Sequence, residues 1–386
     1  MGFGHAGVGA HCGPLFTGLG HTVSERPAGG SRVMAGCSRA GRQLVGAKGA
    51  TRAAGAARTA GAAVVAGIVG VVTRMAPPDL ADFAGAGQRL LGGHLDGIYE
   101  SGWNQAGPLQ LLVSRLLMIG GADGKPSAAT FFVVNAGLMI AALRLCGGNP
   151  RREAITGLLA LLWIALPVVG DGHPAELVVP VLWAYAMVLG KSRRRVAAGT
   201  VLGVAVAIAP WAVLGFPCLL AAGPLRLVVR VAGLGGIVGV AAYLPFVAGG
   251  HFGMFGHVWP VAEGTLAAFA GLDQVTWAVR LVQAVVVAGG CGLVAWRFRE
   301  KTIVIAGAPA AAVLLRVATD SVELRYYWGP VAVTTVMVLA LMPDRRWWPG
   351  ALLGYLALLA ASLGRPLAGA TVCLAVLMVT LTGAHG

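Results

Sequence analysis

Residues Arg151–Arg195, RREAITGLLALLWIALPVVGDGHPAELVVPVLWAYAMVLGKSRRR, decide the architecture of this chain. Two apolar blocks, roughly 153–170 and 174–190, are separated only by the turn DGHPAE. Each block has about the length that spans a bilayer as a helix. Arg151 and Arg152 precede the pair, and Lys191, Arg193, Arg194 and Arg195 follow it. That is a membrane hairpin with both ends on the positive, cytoplasmic side and a short polar turn on the other.

The same pattern repeats outward. Further apolar blocks fall at about 53–73, 127–145, 196–209, 211–225, 229–248, 274–296, 302–318, 327–342, 349–363 and 367–383. The chain has 386 residues, 57% apolar and only 11% charged, whereas soluble domains carry roughly a quarter charged residues. The blocks are continuous rather than alternating, which makes barrel strands a poor alternative. The fold class is therefore an all-α polytopic membrane protein of about 12 spans.

The net charge of +14 does not indicate nucleic acid. Basic residues cluster in the turns between blocks: Arg144/Arg151/Arg152, Lys191–Arg195, Arg226/Arg230, Arg297/Arg299/Lys301 and Arg345/Arg346. These turns share one side only if Gly107–Gly120, too short for a comfortable span, lies at the interface instead of crossing. Residues 74–126 then form one long external loop with a juxtamembrane helix. Both termini are cytoplasmic, in a plasma membrane. The blocks 196–209 and 211–225 are short and meet at Pro210, so a hairpin that does not fully cross is an alternative there. Residues 1–52, rich in Gly, Ala and Arg, read as a disordered cytoplasmic tail, with Met34 as a second candidate start. Residues 53–386 form the membrane domain. The six Cys are scattered with no metal or disulfide spacing.

With this topology the polar residues collect outside. The first loop carries Asp79, Asp82, His94, Tyr99 and Asn104. The turn between the quoted blocks carries Asp171, His173 and Glu176. His257 and Glu263 lie in the loop 249–273, and Asp320, Arg325, Tyr326 and Tyr327 at a later turn. Some of these acids do no more than solvate loops. Those abutting spans are expensive there and read as functional. A carboxylate serves as general base toward a sugar hydroxyl, and a nearby Arg or His stabilises a leaving phosphate. No Walker motif, HExxH or GxSxG occurs. The other reading of Asp79 is a cap on the helix opened by Pro77-Pro78.

The run Pro78–Ser101, PDLADFAGAGQRLLGGHLDGIYES, resembles the first external loop of GT-C fold membrane glycosyltransferases. It is most similar to glycosyltransferase family 87, the polyprenyl-phosphate-mannose-dependent enzymes of actinobacteria. Asp79, Phe83, Leu90-Leu91-Gly92 and Tyr99 carry the pattern. They are followed by Pro108-Leu109, Gly172-His173, the basic turn, Ala198–Ala205 (AGTVLGVA) and Ala209-Pro210. In the family's aromatic-Pro-Pro-Leu segment the aromatic and first Pro are replaced by Ala106 and Gly107, and the Lys before Pro210 is replaced by Ala209.

The resemblance implies a GT-C-like bundle that moves a hexose, mannose by preference. The donor is a polyprenyl-phosphate sugar and the acceptor a lipid or glycan at the external face. Asp79 is then the catalytic base, with Asp82 as its rival. His173, Arg325 and Tyr326 then line the site, and His94, Tyr99, Asn104, Asp171 and Asp320, gathered by the topology on the same face, are the further candidates to bind substrate. The lipid-linked sugar is a substrate, and neither a cofactor nor a metal is implied. A lipid-linked glycan transporter or flippase and a non-catalytic GT-C-like membrane protein remain as alternatives, Arg280 and Arg316 within spans favouring the transporter.

Overall fold

A computed structural model describes residues 34–166, 172–249, 252–343 and 347–383. Residues 1–33, Asp171, Arg345 and Arg346 lie outside them. The chain divides into two units, Met1–Ala53 and Ala54–Gly386. In the first, the backbone is helical from Met34. Ala and Arg are strong helix formers, and glycines spaced among them do not prevent it.

Among the described residues the structure is all helical. Helices α1 (Met34–Val72), α2 (Pro78–Leu91), α3 (Pro108–Leu117), α4 (Ala128–Leu145), α5 (Pro150–Ala165), α6 (Pro174–Lys191) and α7 (Arg195–Ile208) come first. A 3₁₀ segment, Pro210–Ala221, follows. Then come α8 (Leu225–Ala241), α9 (Leu244–Ala248), α10 (Leu266–Phe269), α11 (Trp277–Arg297), α12 (Val304–Thr319), α13 (Trp328–Leu341), α14 (Trp348–Leu363) and α15 (Pro366–Gly383). Ala53–Val72, α4, α6, α11 and α15 are long and apolar enough to cross a membrane, and α7, α12, α14 and the 3₁₀ segment are shorter apolar helices. Their outer faces are apolar too. On α11, Trp277, Leu281, Val282, Val285 and Leu293 are exposed, a surface that water does not tolerate and hydrocarbon does.

Hydrogen bonds fix which helix ends lie together. Arg58 bonds Glu153 Oε2 at 3.0–3.1 Å, and Arg152 Nη1 donates to Ala340 O. Lys191 Nζ donates to Arg299 O, and Lys301 Nζ to the carbonyls of Leu381 and Thr382. These bonds join the start of α5 to the end of α13, and the turn between α11 and α12 to the ends of α6 and α15. At the opposite end Thr73 Oγ1 reaches Ile164 O.

The loop 74–126 holds two amphipathic helices, one opened by Pro77-Pro78 and the juxtamembrane one. α2 buries Leu80, Phe83, Ala84 and Ala86 and exposes Asp82, Gln88 and Arg89. α3 has ten residues, about 15 Å of helix, half the thickness of a bilayer core. Arg115 Nε of α3 donates to Gln88 Oε1 of α2.

The 3₁₀ segment settles the hairpin at Pro210. Its start lies beside Gly107, whose N–H donates to Ile208 O. Its end, Ala222, lies against Gly190, next to Lys191. Twelve residues in 3₁₀ form reach about 24 Å, against about 18 Å as α-helix, so this short segment runs from one end of the bundle to the other. Trp183 supports it by donating its indole N–H to Ala212 O and lying flush against Gly215.

The AGTVLGVA run has a packing role. A Cβ at Gly203 would lie 2.5 Å from Val238 of α8, and one at Gly239 would lie 2.6 Å from Val206 of α7. Two small-xxx-small faces, Gly199/Gly203 and Gly235/Gly239, bring the helices into close contact.

Candidate functional site

The site is built where α2 meets the start of α6. Pro77 and Pro78 start α2, and no side chain caps it. Asp79 stands in its first turn, where the helix dipole favours a carboxylate. Its own partner is not the helix end but His173, whose Nε2 lies 2.8 Å from Asp79 Oδ2. His173 immediately precedes α6. Gly172 before it has φ +81°, and a Cβ there would lie 2.8 Å from both Pro77 and Leu80. Only glycine lets this turn take the left-handed form while pressed against the start of α2.

Aromatic rings hold the imidazole in place. His173 stacks on Tyr326 at 3.7 Å and 15°, and Phe83 meets it edge-on at 5.4 Å. The Asp79 side chain is 42% exposed and that of His173 only 12%, so the carboxylate faces out and the imidazole backs it. The hydrogen bond from His173 holds the Asp79 carboxyl below the usual aspartate range, against the opposing effect of partial burial. Burial pushes the Tyr326 phenol well up, so it stacks as a neutral ring.

Three residues into α6 stands a second acid–base pair. Glu176 Oε2 and Oε1 accept from Arg316 Nη1 at 2.6 Å and Nη2 at 3.2 Å. The Arg316 guanidinium lies between Trp211 and Tyr327, 4.0 and 4.4 Å from their ring centres. Both charged side chains are under 10% exposed. Glu176 is in the first turn of its helix and Arg316 in the last turn of α12, each at the favourable end of the dipole. Below them, Gln283 Nε2 donates to Asp320 Oδ2 at 3.1 Å, and Val322 N–H donates to Asp320 Oδ1.

Arg316, Tyr327, Trp211, Gln283 and Asp320 line a cavity of about 720 Å³ together with Arg280, His257, Gln105 and Trp277. Its walls come from the 3₁₀ segment, α11, α12 and the loop before α11. Arg316 is neutralised by Glu176. The Arg280 side chain makes no hydrogen bond or ion pair among the described residues, so its charge is available to an anion.

The other expected residues divide clearly. Tyr326 belongs to the Asp79–His173 cluster and Asp320 to the cavity. Arg325 is exposed and lines a smaller recess of about 260 Å³ with Glu323 and Asp320. Asp82 and His94 are exposed. Neither makes a side-chain hydrogen bond or ion pair among the described residues. Asp82 shares α2 with Asp79 but turns toward solvent. Tyr99 and Asn104 are struts of the loop itself. Tyr99 is 1% exposed, donates to Ala106 O and packs on Phe246 and Phe252. Asn104 Nδ2 donates to Ile98 O.

Arg316, Arg280, Gln283 and Trp211 were not among the expected site residues. The available signal was a pair of arginines inside apolar blocks. Among the described residues no three His, Cys, Asp or Glu side chains form a metal-sized cluster. No family model, no curated protein and no solved structure matches the chain.

Proposed function

We propose that this chain is a membrane glycosyltransferase with a GT-C-like bundle of twelve passes. Both termini are cytoplasmic and the site lies on the external face of the plasma membrane. It transfers a hexose, mannose by preference, from a polyprenyl-phosphate sugar to a lipid or glycan acceptor. The observation that carries this reading is the exposed Asp79 carboxylate held by His173, whose ring stacks on Tyr326, the neighbour of Tyr327 on the wall of the Arg280 cavity. Asp79 takes the proton of the acceptor hydroxyl. Arg280 faces the phosphate of the donor, and its charge stabilises the leaving group. The apolar part of the cavity, Leu214, Phe255, Val258 and Trp277, suits the first isoprene units.

A transporter or flippase calls for charges near the membrane midplane. Arg280 lies one turn into α11 and Arg316 in the last turn of α12, both near the end that bears Asp79, so they do not supply them. The test is sugar transfer in proteoliposomes given polyprenyl-phosphate-mannose. Asp79→Asn abolishes it if Asp79 is the base. Unchanged turnover refutes that role, and no turnover by the parent protein with any lipid-linked hexose removes the enzyme reading.

A further inference from the structure

A second recess, of about 430 Å³, lies between α4, α5, α6 and α13 and shares no lining residue with the Arg280 cavity. Its wall is apolar, including Leu138, Trp163, Val181, Val188 and Val336, with Tyr185 at the rim. Val181, Tyr185 and Val188 are each at least 40% exposed, so the recess opens sideways to lipid. From Leu177 to Val188 it follows α6 for about 16 Å, roughly one leaflet of a bilayer core. At its upper end Ile164 and Leu177 also line a smaller cavity of about 90 Å³, whose wall includes His173. That small cavity is where polar groups appear: Thr73, Thr130, Asn135 and His173. Asn135 is 5% exposed, and its Oδ1 has no hydrogen-bond partner among the described residues. A buried carbonyl oxygen left unpaired is costly, and a hydroxyl donor from a ligand head would satisfy it.

We propose that the acceptor is itself a membrane lipid, a hydroxyl-bearing amphiphile whose hydrocarbon chain lies in the α4–α5–α6–α13 groove and whose head reaches the Asp79–His173 pair. This rests on the transferase reading and chooses between its two acceptor classes. The groove is apolar down to the level where Asn135 and His173 begin, which is the polarity profile of a lipid and not of a glycan chain. Donor and acceptor then approach from separate openings, divided by Tyr326 and Tyr327. In the transfer step the acceptor oxygen forms a bond to the anomeric carbon. The bond from that carbon to the phosphate oxygen breaks, and its electron pair leaves on polyprenyl phosphate. The acceptor proton passes to Asp79.

The test needs no turnover. A hexadecanol carrying a mid-chain diazirine is photolysed with the full-length protein in phosphatidylcholine vesicles. Label is expected on α4 and α6, competed by unlabelled hexadecanol. Ala141→Trp, at an exposed groove position, is expected to lower it roughly tenfold. Val181→Trp is the second filling variant. Ile237→Trp, on the exposed face of α8, leaves it unchanged. Equal labelling of α8, α11 and α15, insensitive to competitor and to Ala141→Trp, would show annular lipid alone and overturn the groove. If transfer to a water-soluble sugar survives Ala141→Trp undiminished, the lipid acceptor is overturned even where the groove labels. Absence of all transfer instead sinks the enzyme reading and leaves the labelling result intact.

Discussion

Two acid–base pairs anchor the start of α6, three residues apart, and they differ in one respect. Asp79–His173 has an exposed carboxylate, and Glu176–Arg316 is buried, with the Trp211 and Tyr327 rings against the guanidinium. Water screens an exposed pair, so its contact adds little to stability and the carboxylate stays free to exchange a proton. A buried pair has lost its hydration, so each partner depends on the other. The same chemistry thus separates into a working group and a clamp by position alone.

The comparison breaks most sharply in activity. Asp79→Asn keeps an acceptor for His173 but removes the base. The expected loss of transfer is about 10²- to 10⁴-fold, with thermal stability shifted by no more than about 1 kcal/mol. A variant that unfolds early instead would make Asp79 structural. For the buried pair the expectation reverses. Glu176→Gln leaves the Arg316 charge uncompensated and destabilises by about 3–5 kcal/mol, read as a loss of folded protein in detergent. Glu176→Leu combined with Arg316→Met recovers most of that, because a buried pair replaced by apolar groups is close to neutral. If the double variant is as unstable as the single one, the pair is not simply a clamp.

A smaller effect tests what positions the exposed pair. Gly172→Ala forces a non-glycine residue into positive φ and pushes a methyl group against Pro77 and Leu80. Strain of this kind costs about 1–3 kcal/mol. It also moves His173 away from Asp79, so transfer falls in kcat more than in KM. Full activity with full stability would show that the turn has another way to place His173.

How much of this was legible depends on whether the partners are close in sequence or in space. The apolar blocks and basic turns gave the helices and their alternation, because span length and charge bias are local properties. Asp79 and His173 were each recognisable from a position abutting a span, and Gly172 is the local feature that lets them meet. The Glu176–Arg316 pair joins residues 140 apart in sequence, and nothing local to either names the other. Tyr99 and Asn104 misled for the opposite reason. A polar residue in an external loop reads as exposed, but this loop folds over Phe246 and Phe252 and turns those side chains inward. The 3₁₀ form of Pro210–Ala221 was hidden as well, since its apolar sequence suits α-helix equally and only the distance to be covered and the Trp183 contact decide.

The smallest effect is in pH, and its sign separates the two pairs again. His173 lowers the Asp79 carboxyl below its ordinary value of 3.8. A group depressed on folding stabilises the protein above its unfolded pKa and loses that contribution as pH falls through the folded one. The stability difference between the parent protein and Asp79→Asn is therefore expected to stay level from neutral pH down to about 4. It narrows only below that. His173→Gln removes the principal cause of the depression and shifts the narrowing upward, toward the ordinary aspartate value. Melting temperatures measured in steps between about pH 2.5 and 6 read both transitions. A gain in the parent protein's stability relative to Asp79→Asn as pH falls toward 4 would mean that burial, and not the hydrogen bond from His173, governs the carboxyl. Asp79 would then be governed by its desolvation, as a buried acid is, and the division between the exposed and buried pairs would lose its physical ground.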